Sequence, residues 1–372
     1  MQYDQTDSRR RRWPILVPFG LVAGLAVIWS GLWFYAASAA DKAIAAWREQ
    51  EAGAGRVYDC ENQTIGGYPF RIEVRCSGIA VQLHNLPAPM ALRAKDAVFA
   101  WQIYRPTLVI AEVSGPLAIG ESGKPASYVA NWTLAQASVS ATPSNLERVS
   151  IVVDSPTVAQ TGAADSPLFR AARGELHGRM IEGSVTSNPV IELGLRLNSA
   201  SAPGSHPLLA EPLDSEAAGT LRGLADLKPK PWLDLLRELQ ARGGRLEVSK
   251  ARVQQGDVIA AGAGTLGLTA RGAIDGQMQV TVVGIEKVLK ALDIDRFLAE
   301  PNISSKIDRL DRIMPGLGDI ARRNAPGIVA GLGALGPRTT LDGKPAVTVP
   351  LQFADGAVLL GPVPVGRIPP LF

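Results

Sequence analysis

Gly66-Gly67-Tyr68-Pro69-Phe70-Arg71-Ile72-Glu73-Val74-Arg75-Cys76 reads as a turn that runs straight into a strand. Gly66-Gly67 supplies the backbone freedom of the turn, and Pro69 presets its exit. From Phe70 onward apolar and charged residues alternate. Phe70, Ile72, Val74 and Cys76 share one face, and Arg71, Glu73 and Arg75 share the other. A period of two is the mark of a half-buried strand. The pattern resumes after Gly78 through Ile79, Val81 and Leu83. Cys60 lies upstream of the same turn. In an oxidising compartment Cys60 and Cys76 read as a structural disulfide. A metal pair or a catalytic thiol would need partners nearby, and only His84 is close in sequence.

Toward the N-terminus the chain changes character. No charged residue occurs from Trp13 to Ala40, and Ile15–Tyr35 is almost wholly apolar. Such a run, at 1.5 Å per residue, spans roughly 30 Å, the hydrocarbon thickness of a bilayer. Arg9–Arg12 precede it, so the positive-inside rule places the N-terminus in the cytoplasm and the bulk of the chain across the inner membrane, in the periplasm. Trp29, Trp33 and Tyr35 crowd the far end, where an interfacial aromatic belt would sit. Ala37-Ser38-Ala39 also fits a signal-peptide cleavage site, but the apolar run exceeds a signal h-region. The arginine run suits twin-arginine export less well, because Trp13-Pro14 follows it. Gly20 and Gly24 form a GxxxG, a helix-packing motif that is also common in any membrane helix. Residues 1–12 are thus a basic tail, 13–37 the membrane anchor, and 38–55 a helical stalk ended by Gly53 and Gly55.

Toward the C-terminus short strand signals recur between Gly, Pro, Asn and Asp breaks, the pattern of an antiparallel meander. They cover Ala97–Tyr104 and Thr107–Val113, with Arg105-Pro106 turning between them, then Tyr128–Ser140, Val149–Val153, Phe169–Ile181 and Val190–Asn198. Ser199–Pro212 reads as a loop. Trp232–Arg242 reads as a helix between Pro231 and Gly243-Gly244. Arg245–Ser249, Val258–Ala261, Gly264–Ala270 and Gln277–Val283 are further strands, with Asp275-Gly276 as a hairpin turn. Ile285–Ala299 and Ser305–Arg323 read as helices. Pro326–Gly336 is apolar and too short to span a membrane. Ala346–Phe353 and Ala357–Leu360 form a closing hairpin around Asp355-Gly356. The expected fold is mainly β with some α: an N-terminal transmembrane helix, then an elongated, curved antiparallel sheet over residues 56–372 with a few packed helices. Two sub-parts, 56–242 and 243–372, share a strands-then-helix layout.

The hydrophobic anchor, the Trp-bearing helix, the paired cysteines, Gly67-Tyr68-Pro69-Phe70-Arg71 and the C-terminal Gly361-Pro362-Val363-Pro364 together resemble the bacterial family catalogued as domain of unknown function 2125. That family has no assigned activity, so the resemblance implies a context and not a mechanism. A more distant similarity to the AsmA-like envelope proteins implies one anchor followed by a curved sheet whose apolar groove holds lipid.

Composition closes off several functions. The chain has 372 residues and a formal net charge of +3, and Arg9–Arg12 against Asp4 and Asp7 leave +2 in the first twelve. A nucleic-acid binder carries its basic charge on the folded domain, so no nucleic acid is expected. Two Cys and three His exclude multi-Cys zinc modules and iron–sulfur clusters, so no metal or cofactor is expected. Gly262–Gly267 and Gly331–Gly336 both match GxGxxG, but neither stands between a strand and a helix as dinucleotide binding requires. No nucleophile elbow, zincin, Walker or EF-hand pattern occurs. His84, His177 and His206 stand apart, and His177 shares an alternating polar face with Glu175 and Arg179.

The chain is therefore expected to be a non-enzymatic, membrane-anchored periplasmic protein. One reading is a sheet groove that binds lipid or another apolar ligand, lined by Ile72, Val74, Trp101, Ile103, Leu266, Leu268, Val280 and Val282. The other is a structural or docking protein of the envelope, in which the same residues fill a closed core.

Overall fold

The computed structural model describes residues 13–142, 145–163, 165–205, 207–291, 336–360 and 363–372. The helix expected at 305–323, the apolar stretch 326–336, part of the helix expected at 285–299, His206 and Gly361-Pro362 fall largely or wholly outside them. Trp13–Gly53 is one unbroken helix, α1. The stalk is therefore a continuation of the anchor. Leu, Ala and Val carry it, and nothing helix-breaking stands between the two parts except Pro18 near its start.

Among the described residues twenty strands follow, joined in one antiparallel sheet. β1 (Arg56–Gly66), β2 (Arg71–Leu83) and β3 (Met90–Gln102) pair in sequence. Next come β4 (Arg105–Ser114), β5 (Leu117–Glu121), β6 (Tyr128–Asn131), β7 (Leu134–Thr142), β8 (Asn145–Asp154), β9 (Thr157–Gln160), β10 (Phe169–Arg170) and β11 (Arg173–Ser184). The sheet continues through β12 (Ser187–Ala200), β13 (Leu213–Arg222), β14 (Arg245–Gln255), β15 (Val258–Leu268) and β16 (Ile274–Val283). It ends with β17 (Arg338–Leu341), β18 (Lys344–Ala354), β19 (Ala357–Leu360) and β20 (Val363–Arg367). The main path runs β3–β4–β7–β8–β11–β12–β13–β14–β15–β16–β18–β19–β20. β13 pairs with β14 across position 242, so the sheet does not stop between the two sub-parts.

A side path, β5–β6–β9–β10, leaves β3 at Met90–Arg93 and rejoins the sheet at Arg170↔Ser201. It exists because consecutive strands break at one level. Gly78 (φ +67°), Ser155 (φ +51°) and Ser199 (φ +48°) depart from extended backbone. Between them Thr133 donates to Asp154, Ser155 to Ala172, and Ala172 to Asn198, at 2.8–3.0 Å. The breaks form a crease across the sheet. The Trp132 indole crosses it and donates to the Val113 carbonyl at 2.7 Å.

Several local expectations are corrected. Arg105 and Pro106 open β4, and the turn falls at Ile103-Tyr104. Tyr128–Ser140 and Phe169–Ile181 are each cut by the crease. Val258–Leu268 is a single strand. Asp275-Gly276 lies inside β16, where Gly276 pairs with both Leu266 and Phe353. A Cβ on Gly276 would lie 2.1 Å from the Thr265 carbonyl oxygen, so this glycine serves close approach and not a turn. The real turn is Thr269–Gly272.

α2 (Trp232–Ala241) and α3 (Ile285–Ala291) touch β15. The approach to α2 is held by Lys230, whose ammonium lies 2.6 Å from Glu238 and 2.9 Å from Asp226. Glu238 also accepts from the Ala225 N–H at 2.6 Å. Lys230 holds both carboxyls below their ordinary range, and the carboxylates raise Lys230 in turn, Glu238 first.

Both carboxyls titrate lower in the folded chain than in the unfolded one. Their stabilisation is complete above the ordinary carboxylate pKa of about 4 and is lost as pH falls through the depressed values. Acid titration followed by circular dichroism should therefore show a loss of stability in that window. Glu238→Gln should flatten it. An equally steep acid loss in the variant would disprove the assignment. Cys60 and Cys76 form a disulfide between β1 and β2 with Cα atoms 5.6 Å apart. Cys60→Ser should cost ~3 kcal/mol in denaturant unfolding, by the chain-entropy argument for a loop of this size.

Candidate functional site: the apolar face of the sheet

Residues opposite one another in a ladder share a face, so the register assigns every side chain. One row runs Val74, Phe99, Ala111, Ala137, Ile151, Leu176, Leu195, Ala217, Ala251, Gly262, Val280, Val349. The next row runs Ile72, Trp101, Val109, Val139, Val149, Gly178, Leu193, Gly219, Val248, Gly264, Met278, Leu351, Leu360. Neither row contains a polar side chain. The bulge at Ser249 keeps Val248 and Ala251 on this same face.

The opposite face is polar. Its row through His177 reads Ser138, Ser150, His177, Gly194, Ala218, Lys250. Ion pairs tie the strands together there. Arg173 bridges Asp154 and Glu175 at 2.6 Å each, Arg179 meets Glu192 at 2.7 Å, and Lys250 meets Glu216 at 2.9 Å. Arg173, then His177, lowers the Glu175 carboxyl. Arg173–Asp154, Arg179–Glu192 and Lys250–Glu216 are cross-strand pairs that favour this register, while Arg173–Glu175 lies within β11. A cleft of about 390 Å³ on this side is lined by Arg148, His177, Arg179 and Glu192 among others and is open to solvent. Among the described residues no cluster of three or more His, Cys, Asp or Glu could hold a metal.

The apolar face is concave where its glycines lie. A Cβ on Gly219, Gly262 or Gly264 would come within 2.7, 2.6 and 2.2 Å of a carbonyl oxygen on the next strand. Each such Cβ points to the apolar side, so the neighbouring strand leans over that side. Glycine at these positions is what lets the sheet curl.

The anchor helix walls off one end. Trp33, Ile72 and Val74 form a buried cluster with Ala36, Ala37, Ala40, Ile44, Ile65, Trp101 and Ile103 around it. Ile72 is 1% exposed and Val74 4%. Trp33 was expected in an interfacial belt; it is buried here because its Nε1 donates to the Arg71 carbonyl at 2.9 Å while its rings cover Ile72. Farther along, the face is open. Phe99, Ile151, Leu176 and Leu195 are 37–45% exposed although they sit mid-sheet.

The expected lining residues divide accordingly. Ile72, Val74, Trp101 and Ile103 gather under α1. Leu266, Leu268, Val280 and Val282 lie on the same face at the other end, with Val282 buried. Sequence reading missed the open middle. The strand 173–180 had been read by its charged residues, and its other side, Gly174, Leu176, Gly178, holds the signal. β13 is hard to read because its inward positions Ser215, Ala217 and Gly219 are small and give no apolar alternation.

Residues 33–369 match the family described as an uncharacterised protein conserved in bacteria. The chain belongs to that family, DUF2125. No curated protein matches the chain. In this DUF2125 chain the match opens at Trp33, the residue that seats the helix on the sheet, and takes in both rows of the apolar face.

Gly264→Ala should lower the melting temperature markedly, because backbone atoms of Gln277 and Met278 must move to admit the methyl group. Gly178→Ala on the same face, with only side-chain methyl groups 3.8–3.9 Å away, should leave it nearly unchanged. Equal effects in thermal unfolding would disprove the claim that glycine sets the curvature.

Proposed function

We propose that this chain is a non-enzymatic, single-pass protein of the bacterial inner membrane that holds lipid acyl chains against its periplasmic sheet. The reading starts from α1, whose segment from Val17 is long and apolar enough to cross a membrane. The four arginines before it favour a cytoplasmic N-terminus. The observation that carries the ligand class is the uninterrupted apolar face with exposed Phe99, Ile151, Leu176 and Leu195 at its middle. A contiguous exposed apolar patch of this kind marks a binding surface.

Its length suits an acyl chain. From β3 to β13 the path makes six strand-to-strand steps. At ~4.8 Å each these cover about 29 Å. One leaflet of hydrocarbon is about 15 Å deep, half the bilayer core. The polar outer face lets the same sheet stand in water. The AsmA-like resemblance of the sequence points the same way.

Leu176→Glu combined with Leu195→Lys places an opposite-charge pair across the ladder in the open stretch, where both side chains face solvent and leave the ladders intact. Native mass spectrometry of the full chain should find phospholipid on the parent and little on the variant, with similar circular dichroism. Parent protein that carries no lipid, and whose melting temperature added lipid does not raise, would leave the docking-protein reading in place.

A further inference from the structure

The Gly67–Arg71 turn lies beside the outer end of the apolar part of α1. The Trp29 Nε1 donates to the Pro69 carbonyl at 2.8 Å, and the Ser30 and Tyr68 hydroxyls lie 2.8 Å apart. The Phe34 and Tyr68 rings stack with centroids 6.3 Å apart. Trp29 and Ser30 are sixteen and seventeen residues beyond Trp13, so on a 1.5 Å rise they lie roughly 25 Å along the helix. A helix that begins its crossing near Trp13 is still at the edge of the ~30 Å hydrocarbon layer at that level.

The side chains at this tip are large, aromatic and outward. Tyr68 is 53% exposed, Phe70 62% and Tyr104, on the adjoining β3–β4 turn, 67%. The backbone is arranged differently from an ordinary surface turn, which leaves carbonyls to water. The Gly67 carbonyl accepts from the Arg71 N–H and the Phe70 carbonyl from the Ile103 N–H, each at 3.1 Å. The Pro69 and Arg71 carbonyls accept from the two indoles. Internal satisfaction of backbone groups is what a segment needs where lipid replaces water, and Tyr and Trp are the residues that favour that depth.

We propose that the double turn formed by Gly67–Arg71 and Ile103-Tyr104 is a second membrane contact, seated in the interfacial layer of the same bilayer that α1 crosses. The proposal rests on α1 spanning the membrane, as proposed above, but not on occupancy of the groove. Tyr68, Phe70 and Tyr104 enter the headgroup–acyl boundary and fix the tilt of the β1–β4 end against the membrane. The indoles of Trp29 and Trp33 keep the turn rigid within it.

The test uses the full chain in phosphatidylethanolamine–phosphatidylglycerol vesicles. Native cysteines are disulfide-bonded, so an environment-sensitive fluorophore can be placed on Phe70→Cys, Tyr104→Cys, Leu25→Cys within the span, and Tyr128→Cys beyond the crease. Lipids spin-labelled near the headgroup should quench the probes at 70 and 104 and blue-shift them. Aqueous iodide should quench the probe at 128 alone. Probes at 70 and 104 that behave like 128, while 25 is lipid-quenched, would overturn the tip contact and leave the anchor standing. No lipid quenching at 25 would overturn the anchor and the tip contact together. Tyr104 is on an exposed turn, so its variant keeps the test decisive even if Phe70→Cys fails to fold.

Discussion

The two-faced sheet depends on register. In a strand the side chains alternate, so a slip of one residue would carry every leucine of that strand to the charged face and every arginine to the apolar one. Here the alternation stays in phase from β2 to β18. On one side apolar residues and glycine dominate, with Ser215 between Leu197 and Val253 as an exception; on the other, Arg173, Arg179 and Lys250 meet carboxylates of neighbouring strands. A slip would put guanidinium groups among leucines and forfeit the ion pairs, so the polar face favours the correct pairing even where each exposed ion pair contributes little.

The curvature follows from what is missing from side chains. Where Gly219, Gly262 and Gly264 stand, the next strand crosses the space that a methyl group would fill. At the opposite end the sheet meets the anchor helix, whose Trp33 covers Ile72 and Val74. The helix thus has two stretches along its length: exposed apolar residues such as Phe19, Leu21, Leu25 and Val27 before Ile28, and a sheet-facing seam of Trp33, Ala36, Ala37, Ala40 and Ile44 after it. Small alanines in that seam let the helix lie close to β1 and β2.

Much of this was readable in the sequence, for physical reasons. The long apolar helix and the Phe70–Cys76 strand are dominated by local pattern, length in one case and alternation in the other, and both stand where the sequence places them. Hairpins with paired turn residues, such as Asp355-Gly356, were equally plain. What sequence could not supply was the partner of each strand. Asp275-Gly276 has the composition of a turn, but the glycine answers to the approach of Thr265, a contact made only by the folded sheet. The crease was invisible because Ser155, Ala172 and Ser199 become one line only after four strands pair. The open middle of the apolar face escaped for the same reason: Phe99, Ile151, Leu176 and Leu195 come from four strands and form a surface only through the register.

Along its main path most strands bond to their neighbour in sequence; β4–β7 and β8–β11 step over the side-path strands, β16–β18 steps over β17, and α2 lies between β13 and β14. The sheet is therefore close to one-dimensional, with its free energy divided among nearest-neighbour strand contacts, as in a stack of repeats. The nearest-neighbour arrangement lets such a chain assemble progressively from an established hairpin. It also makes size adjustable. An added hairpin whose alternation keeps phase would lengthen the apolar face by two strand widths and disturb neither the helix at one end nor the strands at the other.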